Sequence, residues 1–327
     1  MESMKTRPTL KKLHSSELDV KHELVFAIEQ KNLDVVESML LDRSTPGSAN
    51  YQKWLTFEEI GSLVTNTDGH NEVLKWLNSR SEIEIVSTTK RLEYIRAIAN
   101  IGTWNEMFNT EFFKWEDSVD PENKKEVHRA EHYSIPATLR GHLQHVFNTV
   151  QAPVVVNSHV HRKPERKEDG MNARKKDFHD VMTVTRLRKE DVDLTSSGSV
   201  TVSFLNSLYE ISSNTASPKL NQSVFETGSE KFSQNDLTTF QNTFGLPVQA
   251  AVDVADRSTT VCTMSTCGEG NLDIQYIMGL AQKSTSIFWY VPNSNDPFLD
   301  WVTILADETN PPKVNSISWG AAEMVRS

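Results

Sequence analysis

Two carboxylates in the last quarter of the sequence have the spacing of an acid–base pair. Glu269 and Asp273 are four residues apart, so on a helix both side chains lie on one face, one turn apart. Two close carboxyl groups do not both ionise freely, so one can hold or accept a proton at mildly acidic pH. The alternative is structural: Thr266-Cys-Gly-Glu269 fits a capping box with Thr266 at the N-cap, and Asp273 is then an ordinary solvated residue.

The two cysteines of the chain, Cys262 and Cys267, stand directly before and inside this motif. Two cysteines are too few for a disulfide framework. They could pair in a small loop, and two free thiols are an equal alternative. A zinc site is not indicated, because no histidine stands beside them and the chain has no second cysteine pair.

Length and composition indicate a globular chain with room for two domains. It has 327 residues, a mean hydropathy of −0.47 and a formal net charge of −10. The acidic balance argues against nucleic acid as a partner. No stretch approaches the roughly 18 apolar residues of a membrane span, so no membrane partner is predicted. The first eight residues are polar and lack the apolar core of a signal peptide.

The sequence up to residue 155 mixes strand and helix patterns. Residues 1–18 are interpreted as a tail. Residues 24–28 alternate like a half-buried strand, and Thr56–Glu59 is a capping box that opens a helix. The same reasoning predicts helices at 33–40 and 73–77, a strand at 83–85, a helix through 92–98 and a strand from 104 to 115. This mixture indicates a small α+β domain.

The second half of the sequence begins after a change in composition. Residues 156–198 are rich in charge and poor in apolar side chains, which predicts an exposed linker. From residue 199 onward, predicted strands alternate with helices, which favours a parallel sheet. Ser233 is a candidate N-cap, and Asn221-Gln-Ser223 is a glycosylation sequon for a chain that enters the secretory pathway.

Several of these segments resemble one family, the sedolisins or serine-carboxyl peptidases. Residues Glu269–Met278 are similar to the glutamate–aspartate helix of that family. Further segments match in the family's order: Ser44–Glu59, Val73–Leu77 and Tyr133–Pro136 of its prosegment, and Pro297–Trp301 and Val314–Gly320 after the helix.

The resemblance implies a fold and a domain organisation. Residues 19–155 would form an α+β prosegment that chaperones and inhibits its own catalytic domain. Residues 156–198 would hold the activation cleavage. Residues 199–327 would be the N-terminal part of a subtilisin-like α/β domain, built on a doubly wound parallel sheet and incomplete at residue 327.

The resemblance also implies a function. The chain would belong to the zymogen of a serine-type peptidase, a tripeptidyl-peptidase or an endopeptidase, that cleaves peptides or proteins at acidic pH in the lysosome or outside the cell. Glu269 would take the proton of the nucleophilic serine, in place of the usual histidine, and Asp273 would share that proton. Gly270 stands where the family usually has alanine, and this exchange is expected to be tolerated.

Three family elements come later than residue 327: the oxyanion aspartate, the Ser-Gly-Thr-Ser nucleophile segment and the calcium-binding loop. No Ser-Gly-Thr-Ser occurs in the 327 residues. The expectation is therefore a truncated chain that is inactive alone and that lacks the loop with which the family binds calcium. The alternative is a non-catalytic inhibitor or chaperone of the prosegment type that binds an intact peptidase.

Overall fold

A computed structural model describes residues 2–118, 124–153, 157–158, 200–292, 294 and 296–320. The chain divides into two compact units. The N-terminal unit contains the described residues up to 153 together with 298–310, and the second unit contains most of the rest. No helix among the described residues is long and apolar enough to cross a membrane. The predicted linker at 156–198 lies outside the described residues, apart from 157–158.

The main sheet of the N-terminal unit has four antiparallel strands in the order β4-β5-β3-β9. Strand β3 is the buried centre, and its alternating apolar residues predicted it correctly. The helix predicted through residues 92–98 is wrong, because strand β5 occupies that stretch and pairs with neighbours on both sides. The bounds are β3 at Lys21–Ile28, β4 at Glu84–Thr88, β5 at Tyr94–Asn100 and β9 at Leu143–Phe147.

Four helices accompany this sheet. The predicted capping box at Thr56 is present, since Glu59 N–H donates to Thr56 Oγ1 and Thr56 N–H donates to the Glu59 carboxylate. The strand predicted from 104 to 115 is wrong in its first half, because a helix carries the buried Trp104 and Phe108 into the core beside Phe26. The helices are α1 at Leu33–Ser44, α2 at Phe57–Val64, α3 at Thr67–Leu77 and α4 at Ile101–Phe108.

A second small sheet lies in the same unit and includes residues interpreted as a tail. Its order is β2-β6-β7, with Leu10, Trp115 and Val127 buried together. Residues 1–18 therefore hold two strands rather than a tail. The bounds are β1 at Glu2–Ser3, β2 at Leu10–Ser15, β6 at Phe112–Asp117, β7 at Lys125–Ala130 and β8 at His132–Tyr133, with β1 paired to β8. A 3-10 turn follows at Ala137–Leu139.

Most of a helix from late in the sequence, Pro297–Asp307, groups with the N-terminal unit. Arg96 on strand β5 joins it, because its guanidinium donates to Glu23 Oε1 at 2.9 Å and to Asp300 Oδ1 at 2.5 Å. Lys90 N–H donates to Asp307 Oδ1 at 2.6 Å. These residues had been predicted as part of the 199–327 domain.

The second unit is built on a four-stranded parallel sheet in the order β12-β13-β11-β14, as the strand–helix alternation predicted. Strand β11 at Asn221–Glu226 is central, and its neighbours are β13 at Thr285–Tyr290 and β14 at Val314–Ile317. The remaining elements are β10 at Asn157–Ser158, paired with β15 at Trp319–Gly320, β12 at Val252–Asp253, and the helices α5 at Val202–Leu208, α6 at Gln234–Thr243 and α7 at Met264–Leu280. The last helix in chain order, Pro297–Asp307, is α8.

Two short motifs of this unit can now be judged. Ser233 caps helix α6, because its hydroxyl accepts from Asp236 N–H at 3.1 Å. The sequon Asn221–Ser223 lies in the central strand β11, where Ser223 is fully buried. A folded chain therefore does not present this sequon as a surface loop, which is where glycosylation occurs.

Candidate active site

Helix α7 carries both predicted carboxylates and begins earlier than the predicted capping box. Thr263 is its N-cap, and Thr263 N–H donates to Thr266 Oγ1 at 3.0 Å. Thr266 is thus the third residue of the first turn, and Glu269 lies inside the helix. The capping-box interpretation of Thr266 and Glu269 is wrong, so Glu269 has no capping role that would explain it.

The open question of the cysteines is settled at the start of the same helix. Cys262 and Cys267 form a disulfide with their Cα atoms 5.5 Å apart. The bond ties the first turn of α7 to the residue before its N-cap. It fixes the entry of the chain into the helix that holds Glu269.

Glu269 and Asp273 both face the interior of the second unit. Glu269 is 2% exposed, and one oxygen of Asp273, Oδ2, is buried and has no hydrogen-bond partner among the described residues. Burial raises the pKa of Asp273 to about 6, a hydrogen bond from Ser318 opposes the rise, and the charge of Glu269 adds to it. Asp273 is therefore not an ordinary solvated residue.

Two further carboxylates join the pair, and sequence reasoning missed both. Glu226 is the last residue of strand β11, and Glu230 lies in the loop that follows. Both are buried, at 0% and 3% exposure. Ligands and reacting groups of open parallel sheets gather at the carboxyl ends of the strands, and an acidic residue that ends the apolar run Val224-Phe225 was the available signal.

Glu226 is the most deeply buried member of the group. Its Oε2 accepts a hydrogen bond from Trp319 Nε1 at 3.1 Å, and its Oε1 has no partner among the described residues. Burial raises the pKa of Glu226 well above its usual range, and the charges of Asp273, Glu230 and Glu269 raise it further.

Glu230 behaves similarly, with one compensating contact. Burial raises its pKa to about 7, and the neighbouring Glu269 and Asp273 add to the rise. The Gly270 amide, which donates to Glu230 Oε2 at 3.3 Å, and the Arg257 guanidinium act in the opposite direction. At acidic pH this group of four carboxyls therefore carries several protons within one small region.

No three His, Cys, Asp or Glu side chains in the described part of the chain are arranged to hold a metal ion. The calcium implied by the resemblance stays an expectation.

Gly270 stands where the family usually has alanine, and the structure leaves no room for a side chain at this position. A Cβ atom at this position would lie 2.4 Å from the Lys231 carbonyl oxygen and 3.0 Å from the Phe288 ring. A backbone atom cannot move aside cheaply, so this chain accommodates the expected glycine at position 270 but leaves no room for alanine. The neighbouring loop passes closer to the helix than a side chain allows.

We expect Gly270→Ala to destabilise helix α7 by about 2 kcal/mol, the usual cost of overpacking a buried position. Gly61→Ala is the matched control, since its Cβ would make ordinary contacts with the side chains of Arg91 at 3.4 Å and Thr65 at 3.9 Å, and alanine favours a helix interior by up to about 1 kcal/mol. Hydrogen exchange of the amides in α7 and α2 measures both effects. If the α7 amides of Gly270→Ala were as well protected as in the wild-type protein, this would contradict the close approach at Gly270.

The geometry can be compared with known proteins. Residues 9–152 match the family Pro-kumamolisin, activation domain. The chain is 26% identical over 323 residues to tripeptidyl-peptidase 1 of Dictyostelium discoideum, covering 92% of this chain and 52% of that protein. It is 22% identical over 292 residues to aorsin of Aspergillus oryzae (84% and 43%) and 26% identical over 302 residues to physarolisin of Physarum polycephalum (91% and 45%).

The chain spans about half the length of the curated relatives it matches. The match to the Dictyostelium protein covers 92% of this chain and therefore extends beyond the matched activation domain at residues 9–152. These findings confirm the resemblance on which the sequence interpretation rested. This chain therefore carries a Pro-kumamolisin activation domain and is related, over most of its length, to the sedolisin peptidases.

Proposed function

We propose that this chain supplies the prosegment and the acid–base residues of a sedolisin-type serine-carboxyl peptidase zymogen, which cleaves peptides at acidic pH. The observation that carries the proposal is the position of the buried Glu269 and the half-buried Asp273, one turn apart, among two further carboxyls. Structural helices rarely bury like charges in this way, because the arrangement costs stability unless protons are shared.

In the proposed mechanism Glu269 acts as the general base. It takes the proton of a serine hydroxyl as the serine oxygen attacks the substrate carbonyl carbon, and returns that proton to the leaving amine. Asp273, whose pKa is raised to about 6 by burial, shares a proton with Glu269 and stabilises it in the position to act. The serine and the oxyanion donor would come from family segments that these 327 residues do not contain.

The parallel sheet of the second unit would be the first part of a subtilisin-like domain. We propose that residues 9–152 act as the prosegment against that domain and that the segment 156–198 is the activation cleavage region. The Cys262–Cys267 disulfide supports folding in an oxidising compartment, since such bonds rarely persist in a reducing cytosol. A lysosomal or secreted location, as implied by the resemblance, agrees with this bond.

The proposal is tested on the native gene product, purified through a chromosomal tag and assayed with peptides from pH 3 to 7. We expect turnover at acidic pH that falls by about 100-fold or more in Glu269→Gln, the usual contribution of a general base. Asp256→Asn removes an exposed carboxylate of the same unit and should leave turnover unchanged. Equal turnover in the Glu269→Gln protein contradicts the role of Glu269.

A second function rests on the match of residues 9–152 to the family Pro-kumamolisin, activation domain. In this alternative the chain is a non-catalytic inhibitor or chaperone that binds an intact peptidase. The same purified protein would then show no turnover from pH 3 to 7. It would instead inhibit a sedolisin peptidase added to the assay, and inhibition would survive Glu269→Gln.

A further inference from the structure

A loop of the second unit hydrogen-bonds to two backbone groups of helix α7 that a regular helix pairs with each other. In a regular helix, the amide of residue 270 donates to the carbonyl of residue 266. Here Lys231 N–H donates to Thr266 O at 2.7 Å, and Gly270 N–H donates to Glu230 Oε2 at 3.3 Å. Residues 230 and 231 thus bind the Thr266 carbonyl and the Gly270 amide, in the turn of α7 that contains Glu269.

The bridge depends on close contact between the loop and the helix. Gly270 provides the space, because any Cβ there would collide with the Lys231 carbonyl oxygen. Asn271 adds two hydrogen bonds between α7 and the start of helix α6. Its Oδ1 accepts from Ser233 N–H at 2.8 Å, and its Nδ2 donates to Asp236 Oδ2 at 3.0 Å. Asn271 is fully buried, so this second attachment is shielded from water.

The groups around Glu230 determine its charge. The Arg257 guanidinium donates to the Glu230 backbone carbonyl, from Nε at 3.1 Å and from Nη2 at 2.9 Å, rather than to the carboxylate. Burial raises the pKa of Glu230 to about 7, the charges of Glu269 and Asp273 raise it further, and the Gly270 amide and the Arg257 charge oppose the rise. Glu230 is therefore neutral below that pH and adds no third negative charge beside the Glu269–Asp273 pair.

We infer that Glu230 is a positioning residue for Glu269: its carboxyl group holds the Gly270 amide, fixes the turn that carries the base, and stays protonated while the base works. The inference rests on the proposed peptidase function for the role of Glu269 alone. The loop that follows a central parallel strand is thereby coupled to the acid–base helix through a single titrating side chain.

The test follows the carboxyl carbons of Glu269 and Asp273 by NMR during a pH titration of the full chain. In the wild-type protein both signals should show an extra inflection near pH 7, where Glu230 loses its proton. Glu230→Gln keeps an oxygen that can accept from Gly270 N–H but cannot ionise, so the extra inflection should disappear. Asp256→Asn, with one exposed carboxylate fewer, should retain it.

A second measurement separates the hydrogen bond from the charge. Exchange of the Gly270 amide should be about tenfold faster in Glu230→Ala, as expected when one such bond is lost, and should return to the wild-type rate in Glu230→Gln. A group that serves structure alone would give this exchange pattern without the inflection near pH 7.

Two outcomes overturn the inference: the wild-type signals lack the inflection near pH 7, or the inflection persists in Glu230→Gln. If Glu230→Gln does not fold, the wild-type titration decides by itself. Peptide turnover plays no part in these measurements. Failure of the peptidase assay therefore overturns the proposed function, and failure of the titration overturns the role of Glu230.

Discussion

Lowering the pH from 7 to 4 should destabilise the N-terminal unit by about 3 kcal/mol through His22 alone. His22 is 7% exposed on the central strand β3, and its Nε2 is 2.8 Å from the Asn148 carbonyl oxygen. Burial lowers its pKa from 6.5 to about 3, the charge of Arg129 and the ring of His128 lower it further, and the hydrogen bond to Asn148 opposes them. The Phe112 ring packs edge-on against it.

The direction follows from proton binding in the two states. Between pH 6.5 and 3 the unfolded chain protonates His22 while the folded chain does not. The stabilisation is therefore complete above pH 6.5 and is lost progressively as the pH falls toward 3. Acid should open the sheet that contains β3 before it affects exposed parts of the unit.

The measurement is the protection factor of the β3 amides in the full chain at pH 7 and pH 4. His22→Gln keeps a donor near the Asn148 carbonyl but does not titrate in this range, so its protection should change less between the two pH values. His14→Gln, at an exposed histidine on β2, should behave like the wild-type protein. A wild-type loss of protection that persists undiminished in His22→Gln contradicts the assignment to His22.

Helix α7 should respond in the opposite direction. Raising the pH from 4 to 8 should destabilise it by at least about 3 kcal/mol, the linkage value for the shift of Glu230 alone from 4.5 to about 7. In this case the folded chain binds more protons than the unfolded chain. The stabilisation is complete below pH 4.5 and is lost as the pH rises through 7, and Asp273 contributes in the same direction.

Protection factors of the α7 amides at pH 4 and pH 8 test this result. Glu226→Gln replaces the most deeply buried carboxyl by a neutral group of the same shape, so the loss of protection at pH 8 should be smaller than in the wild-type protein. At pH 4 the two proteins should be nearly equal, because Glu226 is neutral there. A helix that is as well protected at pH 8 as at pH 4 would show that the buried carboxyls are not coupled to folding.

Together these results would mean that acid weakens one unit and strengthens the other. The N-terminal unit contains the matched activation domain, and the second unit contains the carboxylates proposed to act at acidic pH. A zymogen whose prosegment loses stability under the conditions that favour its acid–base residues has a physical basis for activation by acid. The pH dependence of stability can be measured for both units without any peptidase assay.

The sequence predicted those features that depend on local spacing. Glu269 and Asp273 lie on one face of helix α7, as predicted, because residues four apart share a face of a helix. Strand β3 and the capping box at Thr56 were equally local, and the structure confirms both. A local pattern that suits both a helix and a strand did not decide between them. The apolar residues within 92–98 contribute to strand β5 because β3 and β4 pair with it.

The remaining members of the site were not predictable from spacing. Glu226 and Glu230 precede Glu269 by about 40 residues, and only the parallel pairing of β11 with β13 brings them to helix α7. The need for glycine at position 270 was missed for the same reason, since the atom that excludes a Cβ belongs to Lys231. The Cys262–Cys267 bond stayed open because five-residue spacing permits both pairing and free thiols.

The attachment of helix Pro297–Asp307 to the N-terminal unit has a consequence during synthesis on the ribosome. Arg96 and Lys90 find their partners Asp300 and Asp307 only after 204 and 217 further residues, respectively, have been added, which takes about 10–40 s at roughly 5–20 residues per second. Until then Arg96 has Glu23 but not Asp300 as a partner, Lys90 lacks Asp307, and the nascent unit is without one of its helices. Its folding can finish only after about 310 residues have been translated, so the last step in building this N-terminal unit comes late in translation.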